Sequence, residues 1–213
     1  MRPWHRFIAP ILAHFRKRRG AHILKCFPDL KNYRVLDLGG SVHFWHETGL
    51  IDHVGHVDIY NVSNSEIQTQ HRASEKFSIH IYDGETIPEA SKSYDLLLSN
   101  SVFEHIPPEL RRRVASEALR VGKRGFIQTP AKEFPIEPHF VMPFIHWLPR
   151  RLGRQFVRLS PWALLSRHSQ AVQDDYWNEV QLLRKQDVSA LFSDCAVTAE
   201  RFIGLPKAWI VNW

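Results

Sequence analysis

Short apolar runs of strand length recur along the first two thirds of the chain, separated by segments with helical spacing. Runs rich in aliphatic and β-branched residues predict strands at 34–38, 56–62, 77–82, 94–99 and 125–129. Apolar positions recur with a helical period at 108–121. Helices are also predicted at 44–51, after the glycines, and at 65–75, which is a polar stretch. Strands that alternate with helices are typical of a parallel sheet covered by helices.

The N-terminal segment 4–27 is predicted to be a partly amphipathic helix that ends at Pro28. Two interpretations stay open for it. The helix either packs against the edge of the domain, or lies in a membrane interface. In the second case its Trp and Phe side chains would enter the bilayer, while the basic run Arg16 to Arg19 would contact anionic headgroups.

After residue 129 the pattern changes to a connection rich in proline and aromatic residues, over 131–161. It follows the carboxyl end of a strand, where open α/β sheets place their ligands. We therefore predict a lid or cap at about 131–178, within a domain that spans 34–213 and follows a basic helical segment at 1–33. Helices are predicted at 160–167 and 186–192, and a closing antiparallel hairpin at 196–213.

The first predicted strand, V-L-D-L, carries one acid and stops on two glycines, Gly39 and Gly40. Glycines permit a tight turn and the close approach of a ligand to the backbone. A helix that starts just beyond them would point its free N–H groups and its positive dipole end at that ligand. The stretch therefore predicts a nucleotide-type binding loop.

The formal net charge of +6 is unevenly distributed along the 213 residues. Residues 1–34 hold nine Lys and Arg against one acid, and 138–173 hold five Arg and no acid. These two segments could bind an anionic partner such as phospholipid, a phosphorylated substrate or RNA. Alternatively, their Lys and Arg side chains are solvated surface residues without a partner. Cys26 and Cys195 form no disulfide framework, and no apolar run reaches membrane-spanning length, so a cytoplasmic protein is expected, with peripheral membrane contact through the basic segments.

The order of these motifs resembles the class I S-adenosylmethionine-dependent methyltransferases, particularly the type 11-like group. The residues that carry the resemblance are V-L-D-L-G-G-S at 35–41, D-I-Y-N at 58–61, D-G-E-T-I-P at 83–88, and Y-D-L-L-L-S-N-S-V-F-E-H-I-P at 94–107. The resemblance implies a seven-stranded, mostly parallel Rossmann-like sheet with an antiparallel C-terminal hairpin and helices on both faces. It also implies S-adenosyl-L-methionine as the cofactor.

By resemblance, Asp37 and Gly39 approach the methionine part of the cofactor, and Gly40 and Ser41 continue the loop. Val42 and His43 stand where the family often has a third glycine. Either Asp58, by its chemistry, or Asn61, by its position, holds the ribose hydroxyls. The remaining residues that the resemblance places at the cofactor or the transfer site are Asp83, Gly84, Asn100 and Ser101.

The resemblance also includes the pair Glu104-His105, and His105 could take a proton from an acceptor hydroxyl, or the pair could only cap and pack a helix. The segment 134–140 resembles one that folds over the acceptor in a subset of these enzymes. Its Glu137 and His139 could bind or deprotonate the acceptor, or serve packing alone. All three residues are catalytic candidates.

We expect no metal, because the H-x-x-H spacings among His43, His46, His53 and His56 lack a further ligand. The expected reaction is methyl transfer to an oxygen, less readily a nitrogen, of a small-molecule or lipid-linked acceptor. An inactive binding module and an RNA methyltransferase are the alternatives. Nucleic acid is disfavoured because the chain has no separate RNA-binding module, and the oligomeric state stays open.

Overall fold

A computed structural model describes residues 3–63, 75–166 and 168–213. The described helices are α1 Pro3–Cys26, α2 Val42–Thr48, α3 Pro108–Val121, α4 Arg150–Val157, α5 Pro161–Ser166, α6 Gln170–Glu179 and α7 Lys185–Leu191. The described strands are β1 Arg34–Leu38, β2 His56–Asn61, β3 Phe77–Ile81, β4 Tyr94–Asn100, β5 Gly122–Pro130, β6 Ile136–Glu137, β7 Met142–Pro143, β8 Ala196–Phe202 and β9 Leu205–Asn212.

Seven strands form one sheet in the order β3-β2-β1-β4-β5-β9-β8. β1 pairs in parallel with both β2 and β4, and β2 pairs in parallel with β3. β8 and β9 form the antiparallel C-terminal pair, joined at Ile203 and Gly204. The fold predicted from the sequence is therefore confirmed.

The chain divides into two compact units. Unit 1 comprises Met1–Asn100, Arg112–Ile127 and Asn212–Trp213, and unit 2 comprises Ser101–Arg111 and Gln128–Val211. Among the described residues, no helix is both long and apolar enough to span a bilayer.

In unit 1, helix α1 packs closely against α2. Phe15 and Ile23 of its C-terminal half are buried, and so is Phe27 directly after the helix. A Cβ added to Gly20 would lie 2.3 Å from the carbonyl oxygen of Thr48, so only glycine allows this approach. The C-terminal half of α1 is therefore a packed helix, as the first interpretation of its sequence predicts.

Helix α2 is short and capped at both ends. The Ser41 hydroxyl accepts a 3.3 Å hydrogen bond from the Phe44 N–H, which is the usual N-cap arrangement. Gly49 ends the helix with φ of 77°, in the left-handed conformation that glycine adopts without strain. The caps explain why α2 begins at Val42 and ends at Thr48, whereas the sequence predicted a helix over 44–51.

Unit 2 contains a small aromatic core of its own. Phe140, Ile145, Val157 and Trp177 are buried together, and Trp162 and Tyr176 pack against them. A Cβ on Gly153 would lie 2.5 Å from Trp177 Cζ2, so α4 needs a glycine in its middle to fit against this ring. These contacts order the segment that follows β5.

The sequence did not predict four of the elements in unit 2: β6, β7, α4 and α6. The sequence of α4 lacks the apolar stripe that predicts a packed helix, because Gly153 lies on its buried side and its large apolar residues Leu152 and Phe156 are exposed. β5 also begins at Gly122, three residues before its predicted start. The helix predicted at 65–75 lies outside the described residues, except for Glu75.

Candidate active site

Asp37, the acid of the first motif, is fully buried at the penultimate position of β1. Its Oδ2 accepts a 2.7 Å hydrogen bond from Trp45 Nε1 of α2. Its Oδ1 is buried and has no hydrogen-bond partner among the described residues. Burial raises the pKa of Asp37 to about 7, although the Trp45 hydrogen bond lowers it. The carboxylate thus has one free acceptor in a low-dielectric setting.

Gly39 and Gly40 form the turn above this carboxylate. Gly39 has φ of 67°, and its N–H donates to the Tyr60 carbonyl at the end of β2. A Cβ on Gly40 would lie 1.8 Å from Asp37 Oδ2, so any side chain there would displace the carboxylate. The turn therefore needs both glycines, and it keeps the backbone close to Asp37.

Asn61, the last residue of β2, lies beside the same turn. Its Nδ2 donates a 3.2 Å hydrogen bond to the Gly40 carbonyl. Its Oδ1 is buried and without a partner among the described residues. Asp37 and Asn61 thus flank Gly40, and each offers an unsatisfied acceptor.

Asp58, the other candidate for the ribose, has its carboxylate engaged by side chains of β3, β4 and β1. Tyr94 donates to its Oδ2 at 2.8 Å, and His80 Nε2 lies 3.1 Å from its Oδ1. The Arg34 guanidinium lies 3.8 Å from the same carboxylate. Between the two candidates, Asn61 contacts the glycine turn, and Asp58 stabilises the sheet.

Asp83 and Gly84 form a turn after β3. Asp83 Oδ1 accepts backbone hydrogen bonds from Glu85 and Thr86, at 2.8 and 2.7 Å. Chiefly because of the Thr86 bond, the pKa of Asp83 is lowered, so the carboxylate stays ionised. Gly84 has φ of 81°, and a Cβ there would lie 3.1 Å from Val62 Cγ1. The exposed carboxylate remains suited to accept from an amino group.

Asn100, at the end of β4, accepts a 2.7 Å hydrogen bond from Arg19 Nη1 of α1. Arg19 is buried, so part of the basic cluster predicted for the surface belongs to the interior of unit 1. Ser101 adopts φ of 57° and donates from its hydroxyl to Gln128 Oε1 at 3.0 Å, within unit 2. Such a left-handed conformation in a non-glycine residue is typical of constrained functional loops.

Unit 2 contains a cluster of carboxylates and histidines centred on Glu104. This side chain is completely buried, and its Oε2 accepts a 2.8 Å hydrogen bond from Thr129. Its Oε1 has no hydrogen-bond partner among the described residues, and His139 Nε2 lies 3.8 Å from it. Burial raises the pKa of Glu104, while the charges of His139 and His105 lower it.

His139 is held by Glu137, which is itself buried. The Nδ1 of His139 lies 2.7 Å from Glu137 Oε1, and Glu137 Oε2 accepts from the Phe140 N–H at 2.7 Å. Burial lowers the pKa of His139, but the Glu137 hydrogen bond and the surrounding carboxylates outweigh it, so the net shift is upward. Both Glu137 oxygens are occupied, so this residue positions His139.

His105 has the same arrangement with a different acid. Its Nδ1 lies 2.8 Å from Glu179 Oε1 of α6. The rings of His105 and His139 meet edge to face at 5.1 Å, and Tyr176 packs against both. The structure thus brings together the three predicted catalytic residues, His105, Glu137 and His139, around Glu104.

Asp37, Gly39, Gly40 and Asn61 form a site in unit 1 that we call the cradle. It fits the cofactor that the sequence implies. S-adenosylmethionine offers an ammonium group and ribose hydroxyls as donors, and Asp37 Oδ1 and Asn61 Oδ1 are buried acceptors that lack donors. Asp37 and the glycine turn would hold the methionine part, Asn61 the ribose, and Asp83 the adenine amino group. When bound, the cofactor supplies a sulfonium methyl group that is ready for displacement.

Four contributing residues are absent from the sequence-based site: Arg19, Trp45, Tyr176 and Glu179. Arg19 and Trp45 lie on helices that were predicted, but their burial against β4 and β1 has no signature in spacing. Tyr176 and Glu179 lie on α6, which the sequence did not predict. Sequence spacing alone does not show whether such a side chain is exposed or contacts a residue that is distant in the chain.

Comparisons with known proteins agree with this geometry. The profile of the family described as "Methyltransferase domain" matches residues 34–127. A comparison with curated proteins finds no match.

Several solved structures share the fold at low identity. An S-adenosylmethionine-dependent methyltransferase from Mesorhizobium loti is 15% identical, with 90% of this chain and 95% of that chain covered and a TM-score of 0.55. One from Aquifex aeolicus is 14% identical, with 91% and 87% covered and a TM-score of 0.53. Magnesium protoporphyrin IX methyltransferase from Synechocystis PCC 6803, with bound SAH, is 14% identical, with 94% and 83% covered and a TM-score of 0.52.

The profile match covers the strands and turns that build the cradle, and the seven-stranded sheet extends the likeness over the rest of the chain. The profile match and the fold both imply S-adenosylmethionine as the cofactor, which agrees with the unsatisfied acceptors beside Gly40. The chain therefore has the fold of the class I methyltransferases, and its residues 34–127 match the methyltransferase-domain family.

Proposed function

We propose that this methyltransferase transfers the methyl group to an oxygen of an anionic small-molecule or lipid-linked acceptor. The observation that carries the choice of oxygen is the cluster in unit 2, where two histidines, each held by a carboxylate, adjoin the buried Glu104. A neutral hydroxyl is a poor nucleophile until it loses its proton, and such a cluster promotes that loss. A neutral amine needs less help.

His105 and His139 are the groups that we assign to the acceptor. Each has its Nδ1 bonded to an acid, which leaves Nε2 for other partners. Glu137 and Glu179 are positioning residues, because each fixes one imidazole ring through its Nδ1. Alignment of the acceptor oxygen with the methyl group supplies much of the remaining rate.

A cavity of about 410 Å³ in unit 2 supports an anionic acceptor. Arg111, Lys132 and Arg150 contribute three cations to its lining, against the carboxylates of Glu137 and Asp187. Trp177 and Leu182 give it an apolar side. Arg111 and Arg150 are fixed by hydrogen bonds to backbone carbonyls of Gln181 and Asn178, at 3.0 and 2.9 Å, so their charges are preorganised.

Contact with an anionic lipid surface is supported by helix α4 and its flanks in unit 2. Leu152, Phe156 and Leu159 are 47%, 42% and 61% exposed. Arg151 and Arg158 are exposed beside them. Exposed apolar side chains interleaved with arginines are typical of helices that lie in a headgroup region. Lipid contact through this helix would bring the enzyme to a lipid-linked acceptor.

A labelling assay tests the transfer. The protein would be incubated with cofactor carrying an isotopically labelled methyl group and with separate lipid and polar fractions of a lysate. We expect label in an O-methyl product, identified by its carbon chemical shift, and none with Asp37→Ala. Incorporation only at nitrogen or carbon would overturn the choice of oxygen, and label in RNA would favour the RNA methyltransferase instead.

Vesicle sedimentation tests the lipid contact. We expect the protein to bind phosphatidylcholine vesicles only when they contain phosphatidylglycerol, with binding weakened by salt. The double variant Leu152→Asp with Phe156→Asp should lose binding. Ile203→Asp is the control, because Ile203 is 83% exposed, more than Leu152 or Phe156, but lies in the β8–β9 turn. Binding that is unchanged in the double variant would contradict the role of α4.

A further inference from the structure

Three side chains of unit 2 have the composition and the spacing of a metal site. Glu104, His105 and His139 place one potential ligand atom each within 4.8 Å of one another. Metal bonds of about 2.1 Å separate neighbouring ligands by about 3 to 3.5 Å, so small side-chain rotations would complete the site. We propose that Glu104, His105 and His139 bind a divalent first-row transition ion, such as Mn²⁺, Co²⁺ or Zn²⁺.

The orientation of both imidazoles supports this assignment. In metal sites, a ligating histidine almost always donates its other ring N–H to a carboxylate or carbonyl, which fixes the ring and the tautomer. His139 has Glu137 at 2.7 Å from Nδ1, and His105 has Glu179 at 2.8 Å. Each ring is thereby held with Nε2 as its available ligand atom. The pairs Glu137–His139 and Glu179–His105 thus orient two imidazoles toward the same cluster.

Glu104 supplies the third ligand. Its Oε2 is used by Thr129, whereas Oε1 is fully buried and has no hydrogen-bond partner among the described residues. A buried acceptor without a partner is costly and needs an explanation. The distance of 3.8 Å to His139 Nε2 is too long for a hydrogen bond, and a small rotation would bring the two atoms to the separation of two ligands on one ion. The cluster is therefore better suited to a cation than to a direct histidine–carboxylate bond.

The surroundings keep these groups in place. Tyr176 packs against both imidazoles, and its own ring packs against Phe140 of the aromatic core. Three protein ligands leave coordination positions open, as in catalytic sites, whereas structural sites are closed by four. Two histidines and one carboxylate suit borderline first-row ions better than calcium, which prefers oxygen.

The role of the ion rests on the proposed function. An acceptor hydroxyl on an open position would release its proton to solvent water more readily, since a divalent cation lowers the pKa of a bound hydroxyl. With both Nε2 atoms bound to the ion, the ion would replace the imidazoles in promoting this loss. The oxygen would then form its bond to the methyl carbon as the S–CH₃ bond breaks, and the sulfonium would become the thioether of S-adenosylhomocysteine. This differs from the metal-free site expected from the sequence, because Glu104 and His139 are far apart in the chain.

Metal binding is measurable without cofactor or acceptor, so its outcome is independent of the proposed function. Chelator-treated protein would be titrated with Mn²⁺ under electron paramagnetic resonance, and with Co²⁺ under visible absorption. We expect one ion per chain and cobalt bands that indicate nitrogen ligands. Glu104→Gln, which keeps the shape and the Thr129 contact, and His105→Asn should each weaken binding by more than about 100-fold. Glu179→Gln should weaken it by about 10- to 100-fold.

The matched control is His46→Gln, which removes an exposed histidine of the H-x-x-H spacing in unit 1. Its affinity should equal that of the original protein. Circular dichroism of each variant would separate loss of the site from loss of the fold. The proposal is overturned if the folded protein binds none of Mn²⁺, Co²⁺ or Zn²⁺ at millimolar concentration, or if folded Glu104→Gln binds them as tightly as the unaltered chain.

Discussion

The indole N–H of Trp45 donates a 2.7 Å hydrogen bond to Oδ2 of Asp37, inside unit 1. This contact ties the acid of β1 to the helix that follows the glycine turn, and it occupies one oxygen of the carboxylate only. The other oxygen is buried without a partner among the described residues. Asp37 is therefore preorganised for a donor that no described residue of the chain supplies.

The first prediction concerns stability and pH. The pKa of Asp37 rises from 3.8 to about 7 on folding. The folded state thus retains a proton that the unfolded state releases, so the unfolding free energy falls as the pH rises from about 4 to 7. The loss amounts to about 4 kcal/mol at most and is complete above pH 7.

Asp37→Asn removes this titration. Urea denaturation at pH 5 and pH 8 should show that the stability of the variant, relative to the original protein, improves by a few kcal/mol at the higher pH. If the stability of the variant relative to the original protein were the same at pH 5 and pH 8, Asp37 would ionise as freely in the folded protein as in the unfolded chain.

The second prediction concerns cofactor affinity. The ammonium group of the cofactor needs an ionised Asp37, so the affinity for S-adenosylhomocysteine should fall as the pH drops below 7, approaching tenfold per pH unit. Calorimetry between pH 5.5 and 8 measures it. Asp37→Asn should bind at least about 100-fold more weakly and without this slope. Asp83→Asn is the control, because the pKa of Asp83 is lowered and cannot produce a slope in this range.

The third prediction compares two glycines. In Gly40→Ala the new Cβ would meet the Asp37 carboxylate, so we expect cofactor affinity to fall by more than tenfold. In Gly49→Ala nothing lies within 4 Å of the new Cβ, and only the left-handed backbone is strained, by about 1–2 kcal/mol. Calorimetry and thermal melts separate the effects. Equal affinities in the two variants would argue against a cradle at Gly40.

The fourth prediction separates the two candidates for the ribose. Asn61→Ala should weaken cofactor binding by about 10- to 100-fold, because it removes both the contact with Gly40 and the free acceptor. Asp58→Asn should change affinity by less than about threefold, while it lowers stability by about 1–3 kcal/mol through its contacts with Tyr94 and His80. The reverse pattern would transfer the ribose to Asp58.

The sequence predicted those strands and turns whose local residue pattern matches their place in the folded protein. The strand at Asp37 and the turn at Gly39 and Gly40 were predictable, because buried parallel strands are continuous apolar runs and tight turns need glycine. The pairing of residues distant in the chain was not. Glu179 meets His105, and Glu104 faces His139, only because the polar helix α6 and the segment after β5 fold around an aromatic core.

The choice between Asp58 and Asn61 also needed coordinates. The two residues are separated by three positions on one strand, so they face opposite sides of the sheet. Sequence alone gave chemical preference to one and positional preference to the other. The contacts of Asp58 with Tyr94 and His80 leave Asn61 as the neighbour of Gly40.

Helix α1 lies outside the region that matches the family, yet it is part of the packed structure of unit 1. The region that matches the family begins at residue 34, yet the guanidinium that reaches Asn100 belongs to Arg19. Ile23 and Phe27 cover apolar surface that would otherwise face water. A protein trimmed to the shared region would lose its partner for the end of β4 and uncover part of its core. The cofactor-binding unit of the molecule therefore includes a helix that lies outside the region matched by the family profile.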